Sequence, residues 1–249
     1  MLPVQNLRNK NANELSLAHH FNELNTRLIK VGGTFIVTLI VVYMSSHWWM
    51  SLFIQAVAQK GVPLHAFSFT EMIQIYIMII LFCTFCITSP VLFYQLWAFI
   101  APGLKGVERQ FIYRYSLISF LLFLIGIALA YWLIFPLIVQ FSFNLSKLMS
   151  IEPVIGFKQY LTELLRWLLC FGIIFQLPVL FIGLAKFELI DAVMLRPYRK
   201  YVYFSCFVLA SLIAPPDLML NILLALPLIL LFELSMFILR FTKPYDQSI

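Results

Sequence analysis

Long apolar runs separated by short polar segments dominate the chain, and they decide where it can fold. The runs are Val31–Phe53, Met72–Ile100, Ile112–Phe141, Tyr160–Ala185, Tyr201–Ala214 and Leu218–Leu239. Crossing ~30 Å of hydrocarbon takes about 20 apolar residues in a helix. Backbone groups there must be satisfied within the segment, so each run is predicted to be helical. The pattern thus predicts an all-α polytopic membrane protein with six transmembrane helices. The second and third runs are long enough to tilt or to project past the bilayer. The fifth, at 14 residues, reaches only ~21 Å. In the sixth, Glu233 limits the uninterrupted apolar stretch to Leu218–Phe232, or ~22 Å. Two adjacent short helices either thin the lipid around them or lie covered by other helices, and both readings stand at this point.

Ahead of the first run, Leu17, Phe21, Leu24 and Leu28 recur at helical spacing, with His20, Glu23, Arg27 and Lys30 on another face. This predicts an amphipathic helix along the inner surface that runs into the membrane. The chain therefore divides into a polar N-terminal segment with an interfacial helix (1–30), a six-helix membrane domain (31–240) and a short tail (241–249). Pro90, Pro136, Pro178 and Pro227 fall within or near helix ends, where each removes a donor and tends to kink its helix.

Composition agrees: of 249 residues, 62% are hydrophobic and 11% charged, against about 25% charged in soluble domains. The net charge of +6 is spread over short loops rather than one basic stripe, which argues against a nucleic-acid partner. Thirteen basic residues fall on the side holding both termini and the second and fourth loops, and four (Lys60, Lys147, Lys158, Arg166) on the other. The positive-inside rule then gives an N-in/C-in topology, which requires an even number of spans. Cys83, Cys86, Cys170 and Cys206 sit in apolar runs and read as small hydrophobes, the Cys83-x-x-Cys86 spelling included. No metal-ligand spacing, phosphate loop or catalytic triad pattern occurs. No metal, cofactor or enzymatic activity is expected, and no removable leader is expected at the polar N-terminus.

A few polar groups carry the candidate chemistry. Glu23 and Arg27 form an i,i+4 pair, which read alone is a surface salt bridge of ~0.2–0.5 kcal/mol. In the loop Trp97-Ala-Phe99-Ile-Ala-Pro102-Gly-Leu-Lys-Gly-Val-Glu108-Arg109, Pro102 and Gly103 end a helix and Glu108 opens the next, a position favoured by the helix dipole. Gln176 lies in mid-membrane among Phe175, Leu177 and Pro178. It is assigned to contact with a partner or signal helix, and its plainer reading is a bond within the bundle. Glu233, near the inner end of the last helix, is a second intramembrane polar contact; more simply, it would snorkel or pair with Arg240. Asp217, after Pro216 on the outer side, fits an N-cap worth ~1 kcal/mol.

These residues fall into strings that resemble the TatC family, the core subunit of the twin-arginine protein translocase. His20-Phe-Asn-Glu23-Leu-Asn-Thr-Arg27-Leu is similar to that family's H-L-x-E-L-R-x-R-L. Tyr94-Gln-Leu-Trp97-Ala-Phe99-Ile-Ala-Pro102-Gly-Leu followed by Glu108-Arg109 resembles its Y-Q-x-W-x-F-x-x-P-G-L…E-R loop. Phe171-Gly-Ile-Ile-Phe175-Gln176-Leu-Pro178 resembles F-G-x-x-F-E-x-P, and Pro215-Pro216-Asp217…Leu224-Ala-Leu-Pro227…Phe232-Glu233 its closing segment. Two departures stand out: Asn25 replaces the first arginine after E-L, and Gln176 the usual glutamate. The resemblance implies a receptor for paired-arginine signal peptides that exports folded cargo across an energised membrane. It also implies small single-span TatA/TatB-type partners in an oligomer. Guanidinium recognition calls for fixed carboxylates, so Glu23 and Glu108 are expected to share the signal-peptide site, with Arg27 beside them and Phe99 and Pro102 as its floor.

Two other functions would leave different marks on the sequence. A small-solute secondary transporter would show repeated halves and broken helices around a midplane site. A structural subunit of a respiratory complex would make no use of two inner-face glutamates. For location, a terse chain with 25 Phe points to the mitochondrial inner membrane, with a bacterial inner membrane or thylakoid as alternatives.

Overall fold

The computed structural model describes residues 3–58, 64–100, 109–186, 196–213 and 218–241. The helices are α1 (Pro3–Val57), α2 (Phe69–Ile100), α3 (Arg109–Leu129), α4 (Phe135–Leu148), α5 (Phe157–Ile174), α6 (Leu177–Lys186), α7 (Arg199–Ile213) and α8 (Leu218–Phe241). Two short strands, β1 (Leu64–His65) and β2 (Ile155–Gly156), pair in parallel. Four continuous stretches, Asn22–Val57, Phe69–Ile100, Ile112–Leu148 and Phe157–Ala185, are long and apolar enough to cross a bilayer. The predicted fifth and sixth spans are α7, of 15 residues, and α8, of 24. Helix α1 passes through residue 30 without interruption.

Proline removes the N–H that would bond the carbonyl four residues back, and the chain adjusts differently at Pro90, Pro136 and Pro178. Pro90 lies inside α2, where it cannot bond the Cys86 carbonyl four residues back. The Ser89 hydroxyl donates to that oxygen at 2.7 Å instead. Ahead of Pro136 the helix widens into a π turn over Ala130–Ile134, and the Phe135 N–H reaches back to the Ala130 carbonyl. A π turn makes room for the ring that would otherwise strike the preceding turn. Pro178 sits just past the break between α5 and α6, where Gln176 N–H bonds the Ile173 carbonyl at 2.9 Å in place of the α-helical partner. These are the local remedies that let proline persist in hydrocarbon.

The residues group into two compact units, Met1–Lys60 with Tyr76–Leu117, and Gly61–Ile75 with Ile118–Ile249. In the first, Tyr76 of α2 and Ser46 of α1 share a hydrogen bond of 2.6 Å, and Ser46 also donates to the Tyr43 carbonyl. In the second, α3 and α5 meet at glycines. A Cβ on Gly126 would lie 2.6 Å from the Phe171 carbonyl oxygen and 3.0 Å from the Gly172 Cα. One on Gly172 would lie 2.6 Å from the Phe123 ring. With no hydrophobic drive between helices in lipid, close backbone approach through small residues is a main source of association. Near the inner ends, Phe232 and Met236 of α8 are buried against Phe181, Ile182 and Ala185 of α6 and Val202 and Tyr203 of α7. Helix α4 stops in a Schellman motif: Ser150 takes φ 55°, its N–H bonds the Lys147 carbonyl, and the Ile151 N–H bonds that of Ser146. Trp48 and Trp132 are largely exposed, as expected of aromatic residues that face lipid or its interface.

Candidate functional site

At the inner end of the first membrane span, helical periodicity puts Glu23 and Arg27 one turn apart on α1. Arg27 Nη2 lies 2.6 Å from Glu23 Oε1, and Arg27 Nε donates to the same oxygen at 3.2 Å. The remaining guanidinium nitrogen, Nη1, donates to Gln95 Oε1 of α2 at 3.4 Å. Both charged side chains are about one-fifth exposed, so the pair is shielded more than an open surface bridge, yet solvent reaches it. Phe99, half-buried, lies one turn beyond Gln95 on α2. Between α2 and α3 the rings of Tyr94 and Tyr113 stand 5.3 Å apart and those of Trp97 and Tyr115 5.1 Å apart.

Of the residues expected to form this site, Glu23, Arg27 and Phe99 are described, whereas Pro102 and Glu108 lie outside the described residues, as does Asp217. Gln95 was not singled out from the sequence. Its position beside Tyr94 in the quoted string was the available signal, but one neutral amide among apolar residues does not announce a charged partner 68 positions away.

Deeper in the second unit, Gln176 has partners within the chain. Its Nε2 donates to the Ser119 carbonyl of α3 at 2.9 Å and to the Gly172 carbonyl at 3.4 Å. The Gly172 oxygen is the one that the Gln176 backbone N–H would take in an unbroken helix, so the side chain restores a bond lost at the break. Substituting leucine for Gln176 should lower stability by ~1–2 kcal/mol, whereas Gln176→Glu should cost more, because a carboxylate cannot donate to two carbonyls. Thermal unfolding of the detergent-solubilised chain checks both; equal stability of Gln176→Leu and wild type would show that the bonds contribute nothing.

Glu233 also finds partners, on α7, while the side chain of Arg240 lies outside the described residues. Glu233 Oε2 lies 3.1 Å from Arg199 Nη2, and Tyr203 OH donates to Oε1. Helix α7 brings Arg199 and Tyr203 alongside it. Both charged side chains are about one-third exposed. Two further polar atoms, Asn221 Oδ1 and Thr88 Oγ1, are buried with no hydrogen bond among the described residues.

A polytopic helical membrane protein with a carboxylate–guanidinium pair at the inner end of its first span, and with Gln176 and Glu233 bonded to neighbouring helices, is thereby defined. Residues 19–227 match the family model of TatC, the Sec-independent protein translocase protein, and the chain belongs to that family. It is 34% identical to the Sec-independent protein translocase protein TatCy of Bacillus subtilis over 91% of this chain and 89% of that one. With the TatC of Listeria innocua the identity is 37%, over 92% of each chain. A crystal structure of the twin-arginine translocase receptor TatC in DDM superposes with a TM-score of 0.77 at 32% identity, covering 88% of this chain and 99% of that one. The protein is an integral, multi-pass membrane component of a translocase.

Proposed function

We propose that this chain is the core receptor of a twin-arginine translocase, which recognises signal peptides bearing paired arginines and passes folded cargo across an energised membrane. Glu23 and Glu108 are the carboxylates that take the two guanidiniums, over a floor of Phe99 and Pro102. The observation that carries this reading is the engagement of Glu23 with a guanidinium: one carboxylate oxygen accepts both Nε and Nη2 of Arg27. A carboxylate at that depth, oriented by its helix, is suited to charge-assisted bonds that arginine makes and lysine cannot reproduce.

The partners are signal peptides and small single-span subunits of the TatA/TatB type. Gln176 and Glu233 were assigned to partner contact, but their groups are already bonded to Ser119, Gly172, Arg199 and Tyr203. Asn221 Oδ1, buried and without a hydrogen bond among the described residues, is therefore the better acceptor for a donor on an entering helix, since a buried acceptor without a partner gains most from a new bond. The mitochondrial inner membrane is the proposed location on the strength of the phenylalanine-rich sequence; the relatives described above are bacterial.

The test is binding of a labelled twin-arginine signal peptide to the purified full chain. Glu23→Gln and Glu108→Gln should each weaken binding about tenfold or more, from the loss of a hydrogen bond to a charged group worth ~1.5–3 kcal/mol. A twin-lysine peptide should bind more weakly still. Affinities that ignore both carboxylates, or that treat lysine and arginine alike, would sink the proposal.

A further inference from the structure

The Glu23 carboxylate is not vacant while it awaits cargo. Oxygen Oε1 holds a fork of two N–H groups from Arg27, and the opposite corner of that guanidinium rests on Gln95 Oε1 at the long distance of 3.4 Å. We propose that Arg27 is the internal ligand of the signal-peptide site: it occupies Glu23 in the cargo-free receptor, and an arriving signal arginine takes its place. Gln95 then serves as the acceptor that keeps the displaced guanidinium on α2. The inference rests on the reading of Glu23 as a signal-peptide carboxylate and adds a regulatory step to it.

Geometry and charge both support an exchange of this kind. Arg27 and the incoming group are chemically identical ligands, so the carboxylate's coordination is conserved as one replaces the other. A paired Glu23 and Arg27 present no net charge, so the cation meets little long-range attraction until Arg27 has moved. Gln95 offers one neutral acceptor at the edge of hydrogen-bond range, which suits a place of rest better than a competing anchor. Partial exposure of both charged side chains gives the exchange access to water.

An internal competitor lowers every ligand's apparent affinity by one common factor, the fraction of receptor in the open state. It leaves the ratio between arginine and lysine peptides unchanged and raises the weaker binder's Kd above its working concentration. Arg27 thereby sets a threshold, whereas the carboxylate sets the preference.

The measurement is the affinity of a fluorescent twin-arginine peptide for the purified full chain, with wild type, Arg27→Gln, Arg27→Lys and Glu23→Gln compared at one salt concentration. Removing a partly exposed competing pair should tighten binding about two- to fivefold in Arg27→Gln. Arg27→Lys should tighten it less, because its ammonium still competes as a point charge. The ratio of twin-arginine to twin-lysine affinity should stay constant across wild type and the two Arg27 variants. An unchanged or weakened affinity in Arg27→Gln, while Glu23→Gln still loses binding, overturns the internal-ligand proposal and leaves the receptor reading intact. Indifference to Glu23→Gln removes the receptor reading itself. Thermal unfolding of each variant identifies misfolding, and should Arg27→Gln not fold, Arg27→Lys decides by the same direction of change.

Discussion

Alanine at Gly126 is expected to destabilise the second unit by about 3 kcal/mol or more, although alanine is the better helix former by ~1 kcal/mol. The new methyl would lie 2.6 Å from the Phe171 carbonyl oxygen and 3.0 Å from the Gly172 Cα. Both obstacles are backbone, and no rotamer can move them; α3 and α5 would have to separate along their crossing. Gly172→Ala meets a different obstacle, since its methyl would lie 2.6 Å from the ring of Phe123, a side chain only 1% exposed. That collision is also costly, but it can be relieved by shrinking the ring. Phe123→Leu should therefore rescue Gly172→Ala in part and leave Gly126→Ala unimproved. Gly33 supplies the control: nothing lies within 4 Å of its Cβ position, so Gly33→Ala should be neutral or stabilising. Tryptophan-monitored thermal unfolding of the solubilised chain reads all four. If Gly126→Ala proved as stable as wild type, the close helix crossing would be refuted.

The second large effect concerns the charged group that α8 carries inside the membrane. Glu233→Leu strips Arg199 of its carboxylate partner, while Arg199 Nε already lacks a hydrogen bond among the described residues. Removing one partner of a fully buried pair costs 3–5 kcal/mol, and with each side chain about one-third exposed solvent reduces this to ~2 kcal/mol. Arg199→Leu should cost a similar amount by leaving the carboxylate with Tyr203 alone. The double variant Arg199→Leu/Glu233→Leu should recover to within ~1 kcal/mol of wild type, because no uncompensated charge remains. Tyr203→Phe, which removes one donor to a charged acceptor, should cost ~1.5 kcal/mol. Strict additivity of the two leucine substitutions would show that Arg199 and Glu233 do not act as a pair.

Helix placement is largely legible in the apolar pattern of the chain. The run Tyr160–Ala185 became α5 and α6 with a break at Phe175–Gln176, beside the proline that disfavours continuity. The run Ile112–Phe141 became a single stretch reaching Leu148, with its irregular turn next to Pro136. The shortness of the fifth run persists in α7. Two features left no trace in the pattern. Strands of two residues are too short to show a period. The left-handed stop at Ser150 uses a residue that does not advertise positive φ as glycine does.

In the candidate site, the pairing of Glu23 with Arg27 followed from their spacing alone, whereas the contact of Arg27 with Gln95 did not. Gln176 is the instructive case: its place in an apolar run and its neutrality are readable, but two orientations of one amide separate a partner contact from an internal one. The structure turns its donors toward Ser119 and Gly172.

Hydrophobic runs by themselves determined that the chain crosses a membrane as helices, and Pro178 marked the place where the run Tyr160–Ala185 breaks. Those properties depend on solvation and on the chain's immediate neighbours, and both are written locally. Only the tertiary structure decided that Glu233 meets Arg199, that Arg27 reaches Gln95, and that Gly126 and Gly172 lie at one crossing. Each depends on the rotation and register of one helix against another, which an apolar stretch leaves free until close packing and the few hydrogen-bonding groups fix them.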